Sequence, residues 1–378
     1  MSTCTLSRQE TETNTTLESV VPVKYWHLLD DGRIQCDLCP RECKLRDGQR
    51  GTCFVRERRG DTMVLTTYGR SSGFCIDPIE KKPLNHFLPG SAVLSFGTAG
   101  CNLACRFCQN WDISKSKEFD TLADQASPEA IAEAAVAMGA DSVAFTYNDP
   151  VIFMEYANDV ADACHEVGVK TVAVTAGYIC DEPRREFFDH IDAANVDLKG
   201  FTDRFYRHVA AGQLQPVLDT LEYLANETDV WFETTTLLIP GENDSDVELD
   251  EMTSWVVEKL GPHIPMHFTA FHPDFKMLDV PPTPPETLER ARAIAMANGV
   301  RYAYTGNTFD EAGQSTYCHE CGLRLIQRNW YRLGEWNLTP DGKCEGCGAE
   351  CAGVFETGPG GWGAKRVPVR MADFGSRR

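Results

Sequence analysis

Residues 96–114 read FGTAGCNLACRFCQNWDIS and place Cys101, Cys105 and Cys108 within eight positions of one loop. The loop follows the apolar run AVLSFG at 92–97, which is typical of a buried strand. Ferredoxin-type runs supply a fourth cysteine nearby, whereas the next cysteine here is Cys164, inside a predicted helix. Three cysteines can hold three irons of a 4Fe–4S cube and leave the fourth iron open, as catalytic zinc keeps an open position. A zinc site and unrelated buried cysteines are the alternatives.

The composition narrows the class of protein. Of 378 residues, 42% are hydrophobic and 24% are charged, which is ordinary for a globular chain. Residues 1–23 lack the features of a signal peptide and are rich in Thr, Ser and Glu, so we expect a disordered tail and a cytoplasmic protein. No run is long and apolar enough for a membrane span. A formal net charge of −20 argues against nucleic acid as a main partner.

Between the cysteine groups the chain alternates apolar runs with amphipathic stretches. One stretch, SPEAIAEAAVAMG, predicts a helix with Ser127 as its N-cap and Gly139 as its stop signal. Strands are predicted at 92–97, 141–147, 169–176, 230–239 and 265–271, and also in AANVDLKG and VRYAYTG. This alternation predicts an α/β fold with a parallel sheet covered by helices, and six or seven units suit a full or partial β/α barrel. An open doubly wound sheet is the competitor, although no Gly-x-Gly-x-x-Gly follows a strand. The polar segments YNDP, TAGY, DLKG, IPGEND and FHPD all follow predicted strands, where barrel enzymes carry their chemistry.

Sixteen cysteines in a reducing compartment point to metals. Two C-x2-C pairs separated by 22 residues predict a zinc ribbon over 311–357, with the ligands Cys318, Cys321, Cys344 and Cys347. Gly322 and Gly348 suit the tight turn after each pair. A structural zinc is the interpretation, and a second Fe–S cluster is the alternative.

A third cysteine group lies near the N-terminus, in the Cys-rich segment 24–75. Its spacing C-x2-C-x3-C-x9-C also indicates a metal site, formed by Cys36, Cys39, Cys43 and Cys53. Zinc and an auxiliary Fe–S cluster are both plausible. A loop-rich lid with free buried thiols is the third reading, because cysteine is often buried without a metal.

Several blocks together resemble one family. They are DPIEKKPLNHFLPGS (77–91), CRFCQNW, FTYNDP, NVDLKGFTDRFY, TTLLIPGENDS and HFTAFHPDFKM, in this order between about residue 30 and residue 355. The pattern resembles the radical SAM enzyme of the AmmeMemoRadiSam system, which is related to pyruvate formate-lyase activating enzymes. The resemblance implies a partial (β/α)6-type TIM barrel at 76–310, a zinc-ribbon-like module at 311–357 and a C-terminal tail at 358–378.

The resemblance also implies the cofactors. Cys101, Cys105 and Cys108 would bind a 4Fe–4S cluster whose fourth iron is chelated by S-adenosylmethionine (SAM). One electron from a donor such as ferredoxin or flavodoxin would cleave SAM to methionine and a 5′-deoxyadenosyl radical, which abstracts hydrogen from a substrate. The kinship suggests a glycyl-radical activase for a partner protein, and modification of a small molecule or another macromolecule is equally open.

Carried over residue by residue, the resemblance places SAM contacts at Thr146, Asn148 and Asp149. Asp197 and Lys199 are the expected catalytic residues, near the methionine part of SAM, and His272 is expected near the adenosyl end. Two positions depart from the family pattern, since Asp149 stands where Glu is usual and Ala176 where Asn is usual.

Each of these residues also has a purely structural interpretation. Asp149 would cap the following helix, Lys199 would be a solvated loop lysine, and His272 would be a core histidine. A non-catalytic Fe–S and zinc scaffold is accordingly the second hypothesis, and it predicts no need for Asp149, Asp197 or Lys199.

Overall fold

The computed structural model describes residues 19–114, 122 and 124–375, so most of the predicted tail lies outside the described residues. The tail prediction is wrong at its end, because Val21–Pro22 pairs with Thr62–Leu65 as a strand. The core of the protein is a nine-stranded sheet. Its strands are β1 (Phe74–Pro78), β2 (Ala92–Phe96), β3 (Ser142–Phe145), β4 (Lys170–Thr175), β5 (Ala193–Asp197), β6 (Trp231–Leu238), β7 (Met266–Ala270), β8 (Ala303–Gly306) and β9 (Val367–Val369).

Strands β2 to β8 are parallel and lie side by side in chain order. In a β/α barrel, strands that follow one another in the chain are neighbours in the sheet, whereas in a doubly wound sheet the strand order reverses at a switch point. The predicted α/β fold with a parallel sheet is therefore confirmed, and the doubly wound alternative is excluded. The carboxyl ends of all seven parallel strands meet at one edge, where the polar segments of the sequence gather.

Helices connect the parallel strands. They are α1 (Pro128–Ala137), α2 (Met154–Glu166), α3 (Asp181–Phe188), α4 (Gln215–Glu227), α5 (Asp246–Lys259) and α6 (Pro285–Ala297). The predicted start of α1 is confirmed, because the Ser127 hydroxyl accepts a hydrogen bond from the Ala130 N–H. Gly139, predicted as its stop signal, has a φ of +66°. No helix in the described ranges is long and apolar enough to cross a membrane.

The two faces of the sheet bury different partners. Leu94 and Phe96 belong to the main apolar core, which also contains the buried residues of α1 and α2. Val93, which precedes Leu94 in the same strand, belongs to a separate cluster with Ile79 and Phe87. Successive residues of a strand point to opposite faces, so the segment after β1 fills the inner face of the curved sheet. The block 77–91, one of the segments that carry the family resemblance, therefore packs against this face of the sheet.

Two small β-modules flank the sheet. Near the N-terminus, Trp26–Leu28, Ile34–Cys36 and Lys44–Leu45 form one sheet, and Val21–Pro22, Thr62–Leu65 and Arg56–Arg59 form another. Near the C-terminus, Thr316–Tyr317, Arg324–Asn329 and Arg332–Trp336 form a third.

The predicted C-terminal tail, 358–378, is not separate from the fold. Val367–Val369 pairs antiparallel with Phe74–Pro78 and becomes an edge strand of the main sheet. Met371, just beyond it, is buried. The segment has few apolar residues, so its sequence alone did not indicate a strand.

The loop after β2 passes very close to the loop after β3. A Cβ atom on Gly97 would lie 2.3 Å from the Thr146 carbonyl oxygen and 2.6 Å from Asn148 Oδ1. Backbone atoms cannot yield as a flexible side chain would, so only glycine fits at this crossing.

Replacing Gly97 with alanine is therefore expected to lower the free energy of unfolding by about 1–3 kcal/mol, because the loops must separate to admit the methyl group. Urea denaturation followed by circular dichroism measures the change. Gly358→Ala is the control, since its Cβ would meet open space, and it should stay within about 0.5 kcal/mol of the wild type. Equal stability of the two variants would contradict the close approach.

Candidate functional site

A cavity of about 590 Å³ opens at the carboxyl edge of the parallel strands. Its volume lies in the range of small-molecule sites. The residues predicted as cluster and SAM ligands line it together, except for His272. They are Cys101, Cys105, Cys108, Thr146, Asn148, Asp149, Asp197 and Lys199.

Asn148 holds the start of the cysteine loop. Its side-chain Oδ1 accepts a hydrogen bond from the Thr98 N–H at 3.0 Å, and its Nδ2 donates to the Gly100 carbonyl at 2.8 Å. Asn148 is only 5% exposed, so both bonds are shielded from water. The amide of Asn148 thus ties the loop after β3 to the backbone that leads into Cys101.

The N-terminal module supports the same loop from another side. A Cβ on Gly100 would lie 1.9 Å from the carbonyl oxygen of Cys53, and Gly100 has a φ of +85°. Arg41 donates from Nε to the Asn102 carbonyl at 2.7 Å and from its guanidinium to the Ala211 carbonyl. The N-terminal segment therefore packs directly on the cysteine loop.

The far end of the loop rests on a single turn of π-helix, Tyr206–Ala210. The Ala104 and Arg106 N–H groups donate to the Ala210 and Val209 carbonyls at 3.1 and 2.9 Å. π-Helical turns are frequent at functional sites. Between the last two cysteines, Phe107 is buried and lines the cavity.

Asp149 is almost fully bonded within the protein. Its Oδ1 accepts from the Val151 N–H and the Thr175 hydroxyl, and its Oδ2 accepts from the Ala176 N–H, at 2.9–3.2 Å. The first bond caps the 3₁₀ helix Pro150–Phe153, so the structural interpretation of Asp149 is confirmed. Burial raises the pKa of Asp149, although these hydrogen bonds oppose the rise.

Asp197 and Lys199 form an ion pair at the rim of the cavity. Lys199 Nζ lies 2.7 Å from Asp197 Oδ2 and 6.0 Å from the centre of the Phe107 ring. Burial lowers the pKa of Lys199, but Asp197 and the Cys105 thiol raise it by a larger amount. The pKa of Lys199 is therefore raised overall. Lys199 is therefore a charged lysine beside the cysteines, with its side chain 15% exposed, and not a solvated loop residue.

The opposite wall of the cavity comes from the block 77–91 and from the C-terminal module. Lys82 Nζ bonds Asp77 Oδ2 at 3.2 Å and Ser95 Oγ at 2.5 Å, and burial lowers the pKa of Lys82 to about 8 while Asp77 opposes the fall. Burial raises the pKa of Glu80 to about 7, although Arg328 opposes the rise. This wall is polar and charged, in contrast to the apolar residues of the block 77–91, which pack against the sheet.

His272 and the N-terminal cysteines stand apart from the cavity. His272 is exposed and is not among the residues that line it. Cys36, Cys39 and Cys53 are buried in the N-terminal module, and burial raises the pKa of all three thiols. The roles predicted for His272 and for this cysteine group stay predictions.

The C-terminal cysteines form a compact tetrad. Among the described residues, Cys318, Cys321, Cys344 and Cys347 are the group whose sulfurs all lie within 4.8 Å of one another. Two pairs are 3.6 Å apart, Cys318 with Cys347 and Cys321 with Cys344. Four thiolates around one ion at 2.3 Å would be about 3.8 Å apart, so the spacing fits a single metal ion.

Backbone N–H groups in the turns of this tetrad favour the thiolate at Cys344. Gly322 and Gly348 have φ angles of +74° and +77°, as predicted for the tight turns. Burial raises the pKa of the Cys344 thiol, but the backbone N–H groups of Cys347 and Gly346 lower it more, to about 7. Backbone N–H groups also lower the pKa of Cys321 and Cys347, but the neighbouring cysteines raise both, that of Cys347 to about 12. A deprotonated sulfur is the form that binds metal.

Sequence reasoning missed part of the cavity. Tyr147, in a left-handed backbone conformation with a φ of +69°, donates from its hydroxyl to Asp77 at 3.2 Å. It lies within the quoted segment YNDP, so its position was visible but its role was not. Arg328 reaches the cavity from the C-terminal module, and no local pattern indicates that a residue so distant in the chain would do so.

Residues 96–252 match the family model of the Radical SAM superfamily. An uncharacterized protein of Methanocaldococcus jannaschii is 39% identical over 325 residues, which cover 86% of this chain and 96% of that protein. The 4-hydroxyphenylacetate decarboxylase activating enzyme of Clostridioides difficile is 24% identical over 163 residues, or 40% of this chain. The chain spans about half the length of that enzyme, 51%.

Solved structures with a related shape share little sequence. A radical SAM methyltransferase from Sphaerobacter thermophilus has a TM-score of 0.46 at 15% identity, over 76% of this chain and 77% of its own. A domain of pyruvate-formate lyase-activating enzyme from Bacteroides vulgatus has a TM-score of 0.38 at 17% identity, over 44% of this chain and 99% of its own.

Asn148→Ala is expected to lower the free energy of unfolding by about 1–3 kcal/mol for each buried backbone group that loses its partner. Thermal and urea unfolding measure the loss. Asn226→Ala is the control, because the exposed Asn226 amide bonds only the Glu222 carbonyl of its own helix. A change as small as that of the control would show that Asn148 does not hold the cysteine loop.

Proposed function

The chain belongs to the radical SAM superfamily, and we propose that it is an enzyme that binds a 4Fe–4S cluster through Cys101, Cys105 and Cys108 and cleaves SAM reductively. The observation that carries the proposal is that these three cysteines open onto the same cavity as Asp197 and Lys199.

The donor set of the cavity fits both groups. Three thiols on one loop match three irons of a cubane cluster, and the cavity offers cations, carboxylates and apolar side chains together. A sulfonium amino acid needs acceptors for its ammonium and a cation for its carboxylate. Val174, Ala176 and Leu237 provide apolar surface for an adenine.

The residues divide these tasks according to their existing bonds. Asp197 Oδ2 is bonded to Lys199, and no donor among the described residues bonds Oδ1, which is therefore available to an ammonium group. Asp149 already accepts three hydrogen bonds and has about one acceptor site left. Lys199, charged and only partly exposed, suits the carboxylate. Asp197 thus takes a larger share of ammonium binding than Asp149 does.

When bound, the cluster supplies the electron that cleaves SAM to methionine and a 5′-deoxyadenosyl radical, which abstracts hydrogen from a substrate. A donor such as ferredoxin or flavodoxin would provide that electron. Phe107 is buried beside the cysteines and excludes water from that side of the cavity, which protects radical chemistry from side reactions.

The relatives limit the range of candidate substrates only in part. Activating enzymes are among the proteins similar to this chain, so a glycyl-radical-type activation of a partner protein is one candidate reaction. Modification of a small molecule is the other.

For the C-terminal tetrad we infer a structural zinc. The sulfur spacing suits one ion, whereas the thiolates of a cluster bind different irons and lie farther apart. Two cysteines of the tetrad, Cys318 and Cys344, belong to an apolar cluster that contains Tyr302 and Tyr304, at the edge of the main sheet. A bound zinc would therefore stabilise the module against the sheet.

Anaerobic reconstitution with iron and sulfide, followed by dithionite and SAM, tests the main proposal. The wild type is expected to release 5′-deoxyadenosine, and Cys105→Ala is expected to lose both the 4Fe–4S absorption and the product, because one iron loses its ligand. Cys164→Ala is the control, since Cys164 is equally buried but does not line the cavity. A 4Fe–4S spectrum without deoxyadenosine in the wild type would favour the non-catalytic scaffold.

Metal analysis of the full chain tests the tetrad. Cys321→Ser is expected to reduce bound zinc by about one ion per chain, since structural sites need all four ligands. Cys351→Ser, which changes a nearby buried cysteine outside the tetrad, should leave the stoichiometry unchanged. Iron in place of zinc would overturn the assignment.

A further inference from the structure

Arg328 is a buried cation without a buried anion bonded to it. Its side chain is 1% exposed, and it donates to two neutral oxygens, Thr316 Oγ1 and the Asn85 carbonyl, both at 2.6 Å. Its Nε has no hydrogen-bond partner, and no carboxylate of the described residues lies within ion-pair distance. A buried charge is costly unless it is paired, so Arg328 requires an explanation.

Two other buried polar atoms without partners belong to the same cavity. They are Glu80 Oε2 and Thr235 Oγ1, on residues that are 5% and 8% exposed. Buried side-chain polar atoms nearly always have a partner. Other atoms of this kind occur elsewhere in the described residues, but these three belong to residues that line one cavity, where a polar ligand can reach them.

The charge of the cavity identifies the class of ligand. Among the described residues that line it, Lys81 and Lys82 are paired with Asp77 and Lys199 is paired with Asp197, whereas Arg328 has no such partner. This uncompensated cation lies inside a chain with a formal net charge of −20. A concave cationic site with low-dielectric walls concentrates anions.

We propose that this cavity binds a small anionic substrate, a carboxylate or a phosphate compound, with Arg328 as its main ligand and the Thr235 hydroxyl as a second donor. The planar guanidinium suits both kinds of oxyanion. A glycine-containing peptide loop would not provide the missing charge, because a peptide backbone is neutral. This inference rests on the proposed radical SAM function, for which it supplies the substrate class.

Titration calorimetry of the full chain with inorganic phosphate and with succinate, at constant ionic strength, tests the subsite. At least one of the two probes is expected to bind with one site per chain. Arg328→Gln should weaken that binding about 10- to 100-fold, because it removes a charge-assisted hydrogen bond. The tighter probe distinguishes a phosphate substrate from a carboxylate substrate.

Arg324→Gln is the matched control. Arg324 lies on the same strand and pairs with Glu311 and Glu335 outside the cavity, so its loss should leave binding unchanged. Thr235→Val keeps the experiment decisive if Arg328→Gln fails to fold. Its hydroxyl has no partner to lose, and the variant should fold normally and bind about two- to fivefold more weakly.

Absence of binding for both probes, or equal binding by the wild type and the variants, would overturn the proposal and leave Glu80 as a distant counter-charge of Arg328. The same titration in the Cys105→Ala chain separates the two proposals, because anion binding needs no cluster. Retained anion binding without deoxyadenosine formation in the wild type would sink the proposed function alone. Deoxyadenosine formation without anion binding would sink only the subsite.

Discussion

The crossing of two loops at Gly97 is the constraint on which the rest of the site depends. The loop after β2 can pass the Thr146 carbonyl only because residue 97 has no side chain, and the Asn148 amide then bonds both sides of the turn. Beneath it, the Cys53 carbonyl fills the space where a Gly100 side chain would be. The loops that follow two neighbouring parallel strands therefore set the position of the loop that carries the three cysteines.

The charge of the cavity differs from the net charge of the whole chain. The surface carries the acidic excess, while cations line the interior cavity. One of them, Arg328, comes from the C-terminal module, so the module completes the wall of the cavity as well as holding the cysteine tetrad. The His86 N–H and ring also contact both parts, through Glu233 and the Ala352 carbonyl. The flanking module and the main sheet thus form one site.

Much of the fold was predictable because its signals are local. Apolar runs indicated the parallel strands to within a few residues, and Ser127 with Gly139 indicated the ends of one helix. Helix α3, Asp181–Phe188, was missed because DEPRREFF contains a proline and little apolar periodicity. The edge strand Val367–Val369 was missed because its pairing with Phe74–Pro78 depends on a partner about 290 positions away.

The sequence by itself determined the chemistry that the chain can support, because ligand type and spacing are properties of short segments: three cysteines on one loop and four in two pairs. Only the tertiary structure decided which groups share a cavity. Asp149 turned out to be occupied by protein donors, His272 lay outside the cavity, and Arg328 entered it. These outcomes depend on the packing of segments far apart in the chain, and no local pattern of residues encodes such packing.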